Sequence, residues 1–189
     1  MEVDKQPVIV ESALTNGGER TVVESDLAKG ANAPPHYHTD FTETFTLVSG
    51  EMTVFMSPDL DEAHLKPIRL EKGKAVAVPP NTLHSFLVDE QAHINVVFHP
   101  GTLGFEKMLL VMQGTARDGV YKNFSAPDSE EGAMFYAALG ELTNTIWVGA
   151  AKERLDAFYA AKGADIETRK RELIEKYASD ELLRKAAGL

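Results

Sequence analysis

Along the first hundred residues, short runs rich in Val, Ile, Thr and Phe alternate with clusters of turn residues. This is how a chain of half-buried strands reads, with side chains alternating between two faces. The pattern predicts strands at Pro7–Ser12, Arg20–Leu27, Pro35–His38, Phe41–Val48, Glu51–Met56, Leu65–Leu70, Ala75–Val78, Ser85–Val88 and His93–Phe98. Breaks fall at Asn16-Gly17-Gly18, Ser49-Gly50, Ser57-Pro58-Asp59, Gly73 and Pro79-Pro80-Asn81, all residues suited to turns. Near Pro100-Gly101 the period changes from two to about 3.6 residues. Phe135, Ala138, Leu139 and Leu142, then Leu155, Phe158 and Tyr159, then Ile166, Leu173, Ile174 and Tyr177 each form a one-sided apolar stripe. Asp128 with Glu131 reads as a capping box, Gly163 as a helix end and Ser179-Asp180 as a helix start. The division is therefore residues 1–100 as an all-β sandwich or barrel and 101–189 as a helical extension.

Composition narrows the functions open to such a chain. A formal charge of −10, with no basic run, argues against a nucleic-acid partner, because phosphate recognition needs clustered Lys and Arg. Cysteine is absent, which removes disulfides, thiolate ligands and thiol nucleophiles together, so a bound metal would be held by nitrogen and oxygen. The Met1–Pro7 start has no charged and apolar leader pattern and no run is long enough to span a bilayer, so a cytoplasmic protein without membrane association is expected.

Four polar side chains stand where a barrel interior is expected. His36 and His38 flank Tyr37 in an extended stretch, so both imidazoles leave one face of the strand. Glu43 follows His38 at an odd spacing, and a turn at Thr39-Asp40 resets the phase so that Glu43 joins Phe45 and Leu47 on the apolar face. A carboxylate in phase with core residues costs several kcal/mol, roughly, unless it is paired or binds a metal. His84 repeats the arrangement in phase with Phe86 and Val88. Each residue alone is more often an ordinary solvated or core side chain. Together, three imidazoles and one carboxylate suit a divalent ion and leave positions open for water, oxygen or substrate.

At this point the chain resembles the cupin superfamily. The first cupin motif, Gly-x5-His-x-His-x4-Glu-x6-Gly, is present without departure from Gly30 through His36, His38 and Glu43 to Gly50. The second is present as Gly73, Pro79 and His84, with Asn81 in place of a turn glycine and Val88 in place of the final Asn. Asn tolerates the left-handed backbone such a turn needs, and Val88 makes the cavity more apolar. The resemblance covers residues 8–100 and implies a mainly β fold: a double-stranded β-helix, or jelly-roll, barrel followed by the helices. It also implies one divalent transition metal (Fe, Mn, Ni, Co, Cu or Zn) held by His36, His38, Glu43 and His84.

Such a centre would carry a net charge of about +1 and favour an anionic oxygen ligand. The function expected is a metal-dependent dioxygenase, resembling the quercetin dioxygenase-like cupins, acting on a small enol, phenolic or flavonoid-like substrate. Glu43 would serve as metal ligand and as proton acceptor. The alternatives are a non-catalytic small-molecule binding or sensor protein, and a metal-assisted isomerase.

Phe45, Phe86 and Val88 are candidate pocket walls. His93, Asn95 and His99 share one strand face and Ile94, Val96 and Phe98 the other; if the polar set faces inward, His99 is a candidate acid or base beside the ligands. His64 lies in a polar loop and reads as solvated, while Trp147 and the Met108–Met112 run read as helix packing. The helical extension has two physical uses, a lid over the barrel mouth or a homodimer surface, and the second is the expectation.

Overall fold

The computed structural model describes residues 7–120 and 130–189. Asp128, the first residue of the capping box read with Glu131, lies outside the described residues.

Seven strands build the barrel: β1 (Val8–Glu11), β2 (Thr21–Leu27), β3 (Asn32–Tyr37), β4 (Thr42–Ser57), β5 (Lys66–Arg69), β6 (Ala75–Val78) and β7 (Leu83–His99). Two of these are longer than the sequence pattern predicts, since β4 fuses the two strands expected at 41–48 and 51–56, and β7 fuses those at 85–88 and 93–98. The turn read at Ser49-Gly50 is instead a bulge inside a continuous strand, where the pairing of β4 with β7 shifts register. Gly50 has φ of +87°, and a Cβ there would stand 2.0 Å from the carbonyl oxygen of Gln91. Only glycine supplies both that backbone angle and that approach.

The bulges let β4 and β7 bend and serve two sheets at once. The first half of β4 pairs with the second half of β7, flanked by β6 and by β2 with β1. The second half of β4 pairs with the first half of β7, flanked by β5 and β3. All pairings are antiparallel, and the two sheets face each other as a jelly roll. Their inner faces meet in one apolar core that includes Val23, Phe45, Leu47, Met52, Val54, Val88, Ile94, Val96 and Phe98.

The extension holds α1 (Leu103–Arg117), α2 (Glu130–Gly140), a two-residue strand β8 (Ile146–Trp147), α3 (Gly149–Tyr177) and α4 (Asp180–Ala186). The pattern-based reading contained no counterpart of β8. Thr102 caps α1 and Ser179 caps α4, each accepting a hydrogen bond from a backbone N–H three residues on. At Lys162, beside the helix end read at Gly163, the backbone of α3 leaves helical geometry (φ −135°, ψ 22°).

Helix α1 belongs to both halves of the molecule. Leu109, with Phe105, Met108 and Met112, packs on the barrel core, while Val111 joins Phe135, Leu139, Ile166, Leu173 and Tyr177 in a second, helical core. Glu106, fully buried in the first turn of α1, fastens the helix to the barrel. Its carboxylate accepts hydrogen bonds from Ser12 Oγ (2.6 Å), Ala13 N (2.8 Å) and Thr21 Oγ1 (2.6 Å). Gly104 lets the turn after α2 lie against α1, since a Cβ there would meet the Leu142 carbonyl oxygen at 1.8 Å.

Candidate metal centre

The strand pairings carry the four polar side chains to one spot. His36 on β3 lies opposite His84 on β7 in the ladder. His38 follows β3 immediately, a bend at Thr39-Asp40 turns the chain, and Glu43 enters at the start of β4. Glu43, Phe45 and Leu47 alternate inward as their spacing requires. The four are 8, 4, 7 and 1 % exposed for His36, His38, Glu43 and His84. Ring centroids stand 4.3 Å apart for His36 and His84, 5.0 Å for His36 and His38, and 5.3 Å for His38 and His84. One donor atom from each of the four lies within 4.8 Å of all the others.

Hydrogen bonds fix which ring nitrogens face inward. Nδ1 of His36 contacts the Pro34 carbonyl at 2.7 Å, Nδ1 of His84 the Thr82 carbonyl at 3.0 Å, and Nδ1 of His38 the Asn144 carbonyl at 3.0 Å. A carbonyl oxygen only accepts, so all three Nδ1 atoms carry a proton and donate, and in a neutral ring Nε2 then keeps its lone pair. Those lone pairs face a carboxylate: Nε2 of His84 is 3.1 Å, and Nε2 of His38 3.8 Å, from Glu43 Oε2. Nε2 of His38 is buried with no hydrogen-bond partner.

Electrostatics oppose filling this gap with protons. Burial, then the neighbouring His84 and His38, hold the pKa of His36 well below the usual histidine range. Burial also lowers that of His38, against the opposing pull of Glu43. Neutral imidazole lone pairs and a carboxylate oxygen crowded together in a dry site form a donor set for one divalent cation, and the residues present fit it.

The cluster opens on a cavity of about 250 Å³. Phe45 and Phe86 line it. Two other pocket expectations are corrected. Val88 is buried in the barrel core and does not line the cavity. His99 is exposed at the end of β7, with Nδ1 on the Glu19 carbonyl, because Ile94, Val96 and Phe98 form the inward face of that strand. His93 on the same outer face meets Asp26 at 2.8 Å, and His64 pairs with Asp59 on the surface.

Leu27, Ala31, Asn32 and Ala33 of the barrel add to the cavity wall, and the extension supplies its other side. Phe105, Met108 and Met112 of α1, Phe135, Tyr136 and Leu139 of α2, and Thr143, Thr145 and Trp147 beyond α2 complete the wall. Trp147 and Met108, read from the sequence as packing alone, are wall residues: the Trp147 ring lies 5.2 Å from that of His36 and meets Tyr136 edge-on at 5.3 Å. Burial raises the Tyr136 phenol to about 12, so it stays protonated. The helices thus cover the mouth of the barrel. Beyond the four cluster residues, no lining side chain among the described residues is acidic, and none is Lys or Arg.

The family model described as Cupin domain matches residues 23–99. Those residues form a cupin domain, and the jelly roll is the fold that this match implies; the helical extension lies outside it. Over 81 residues, 43 % of the chain, it is 37 % identical to a quercetin 2,3-dioxygenase of Bacillus subtilis, and it covers 22 % of that protein's length. Among solved structures it is similar to KdgF from a Halomonas species (TM-score 0.42, 21 % identity, covering 53 % of this chain and 85 % of that one). It is also similar to a cupin-2 domain protein from Shewanella frigidimarina (TM-score 0.40, 14 % identity, 51 % and 82 %). No helix among the described residues is long and apolar enough to cross a membrane.

Proposed function

We propose that the protein is a mononuclear metal-dependent dioxygenase acting on a small, largely apolar enol or phenol. The observation that carries this reading is the buried group of three imidazole Nε2 atoms and the Glu43 carboxylate, with His38 Nε2 unpartnered, opening on an apolar cavity. His36, His38, Glu43 and His84 would hold one divalent first-row transition ion, which when bound supplies Lewis-acid polarisation of a substrate oxygen and a route for dioxygen chemistry. The likeness of residues in this region to a quercetin 2,3-dioxygenase supports the same reaction class.

The chain's own residues set the substrate class. A cavity of about 250 Å³ is below the range usual for drug-sized ligands, about 300–1,000 Å³, and suits a molecule of one or two rings. With no Lys or Arg on the wall among the described residues, a phosphate or second carboxylate would be buried there without a counter-charge, at a cost of several kcal/mol, roughly. The substrate therefore carries one anionic oxygen, directed at the metal site, and an apolar remainder against Phe45, Phe86, Met108 and Trp147. Both short contacts from His38 and His84 reach Oε2 of Glu43, and no hydrogen bond engages Oε1 among the described residues. That oxygen is placed to accept the substrate's hydroxyl proton. Tyr136, protonated across the physiological range, has its O–H available to donate to a ligand.

Metal analysis followed by oxygen-electrode assays tests the reading. Protein loaded with iron, manganese or nickel should consume oxygen with one- and two-ring enols, 1,3-diketones or gallate-like phenols. Tight binding of such compounds without oxygen uptake by any metal form would sink the dioxygenase and leave a binding protein; turnover without oxygen would point to an isomerase. Trp147 is the chain's single tryptophan and lies against His36, so binding of Ni2+ or Cu2+ should quench its emission while Zn2+ quenches little.

A further inference from the structure

The segment joining α2 to α3 is fastened along the ligand-bearing strand. Ile146 and Trp147 of β8 pair with Tyr37 and His36, and the N–H of Val148 donates to the Pro35 carbonyl. Asn144, in a left-handed conformation with φ of +50°, makes the densest contacts. Its carbonyl accepts from His38 Nδ1 at 3.0 Å. Its side-chain oxygen accepts from the backbone N–H (2.7 Å) and hydroxyl (2.9 Å) of Thr39, and its amide donates to Asp40 at 2.7 Å.

The three imidazoles differ in where this support comes from. His36 and His84 donate to carbonyls two residues away, of Pro34 on β3 and of Thr82 just before β7, so the barrel alone orients them. His38 donates across 106 positions of sequence to the extension. Without that acceptor its ring is free to turn about its side-chain torsion and to present either nitrogen.

We propose that Asn144 is a positioning residue for His38, and that the helical extension completes the metal site instead of only covering it. The carboxamide pins the Thr39–Asp40 turn, the pinned turn holds the Asn144 carbonyl against Nδ1, and Nε2 is thereby aimed at the cluster. The inference rests on the metal reading above. Losing such a partner weakens metal binding by about tenfold to a hundredfold. By linkage, metal binding must tighten the docking of residues 143–148 by the same factor.

Calorimetric titration of the metal-free protein with Co2+, together with the visible spectrum of the Co2+ form, tests this. The parent should bind one equivalent. Asn144→Ala should bind it about tenfold to a hundredfold more weakly, with an altered spectrum. Asn144→Asp combined with Asp40→Asn, which keeps the acceptor for Thr39 and reverses the polarity of the bond to position 40, should recover most of the affinity and the parental spectrum. Hydrogen exchange of residues 143–148 in the parent should slow on metal addition, and His38→Ala should abolish that change; this arm holds even if Asn144→Ala folds poorly. One equivalent bound with equal affinity and an unchanged spectrum in Asn144→Ala, or unaltered exchange in 143–148, overturns the role of Asn144 while the metal site stands. Failure of the parent to bind Co2+ any better than His84→Ala overturns both.

Discussion

Among the described residues two glutamates, Glu43 and Glu106, are buried without a lysine or arginine, and their surroundings are opposites. At the seam between α1 and the barrel, Glu106 faces three donors, two hydroxyls and a backbone N–H, at 2.6 to 2.8 Å. At the barrel mouth, Glu43 faces imidazole nitrogens whose protons point away from it. The first carboxylate has every partner it needs, and its place in the first turn of α1 adds the favourable helix dipole. The second is an acceptor set among acceptors. A buried charge is thus a structural anchor where donors surround it, and a pointer to a missing cation where lone pairs do.

The contrast predicts opposite mutational signatures. Glu106→Ala leaves three buried donors without an acceptor and should destabilise the protein by about 3–5 kcal/mol, read from urea unfolding. Where the variant remains folded, it should still bind metal. Glu43→Ala should do the reverse: metal affinity falls by roughly a hundredfold, about 3 kcal/mol, while the metal-free protein changes by less than about 1 kcal/mol because a repulsive contact is removed. Equal effects of the two substitutions on unfolding of the metal-free protein would erase the distinction.

A smaller effect appears with pH. The folded pKa values of His36 and His38 lie below the ordinary value, chiefly through burial. As pH falls through about 6.5 the unfolded chain takes up protons at these two residues while the folded chain does not, so stability is full above that pH and declines below it. Each histidine adds up to about 1.4 kcal/mol per pH unit to the slope. Urea midpoints of metal-free protein between pH 7.5 and 5.5 should fall, and more steeply than those of the variant carrying His36→Gln and His38→Gln. Parallel profiles would contradict the burial of neutral imidazoles.

The two glutamates also differ in how readable they are. Glu43 announces itself because it shares a period of two with Phe45 and Leu47, and its spacing from His36 and His38 forms a motif. Glu106 stands in the first turn of a helix, where an acidic residue is ordinary, and its donors lie some ninety residues away. The same limit hides the cavity roof. Tyr136 and Trp147 are apolar-patterned residues of a helical region, and no local signal separates packing against a core from lining a cavity. β8 is too short to have a period, and the importance of Asn144 lies in a backbone carbonyl, which every residue has. The barrel's strands are legible from alternation, except where a glycine bulge at Gly50 imitates a turn.

Because β4 and β7 run unbroken through both sheets, Glu43 and His84 are mounted on the most extensively paired strands of the molecule. Partial openings that shed the helices, or peel away β1 or β5, leave that central pair zipped. Half of the ligand set should therefore persist until the whole architecture comes apart. Such a chain would part with its ion late during denaturation and could recapture it early on the way back.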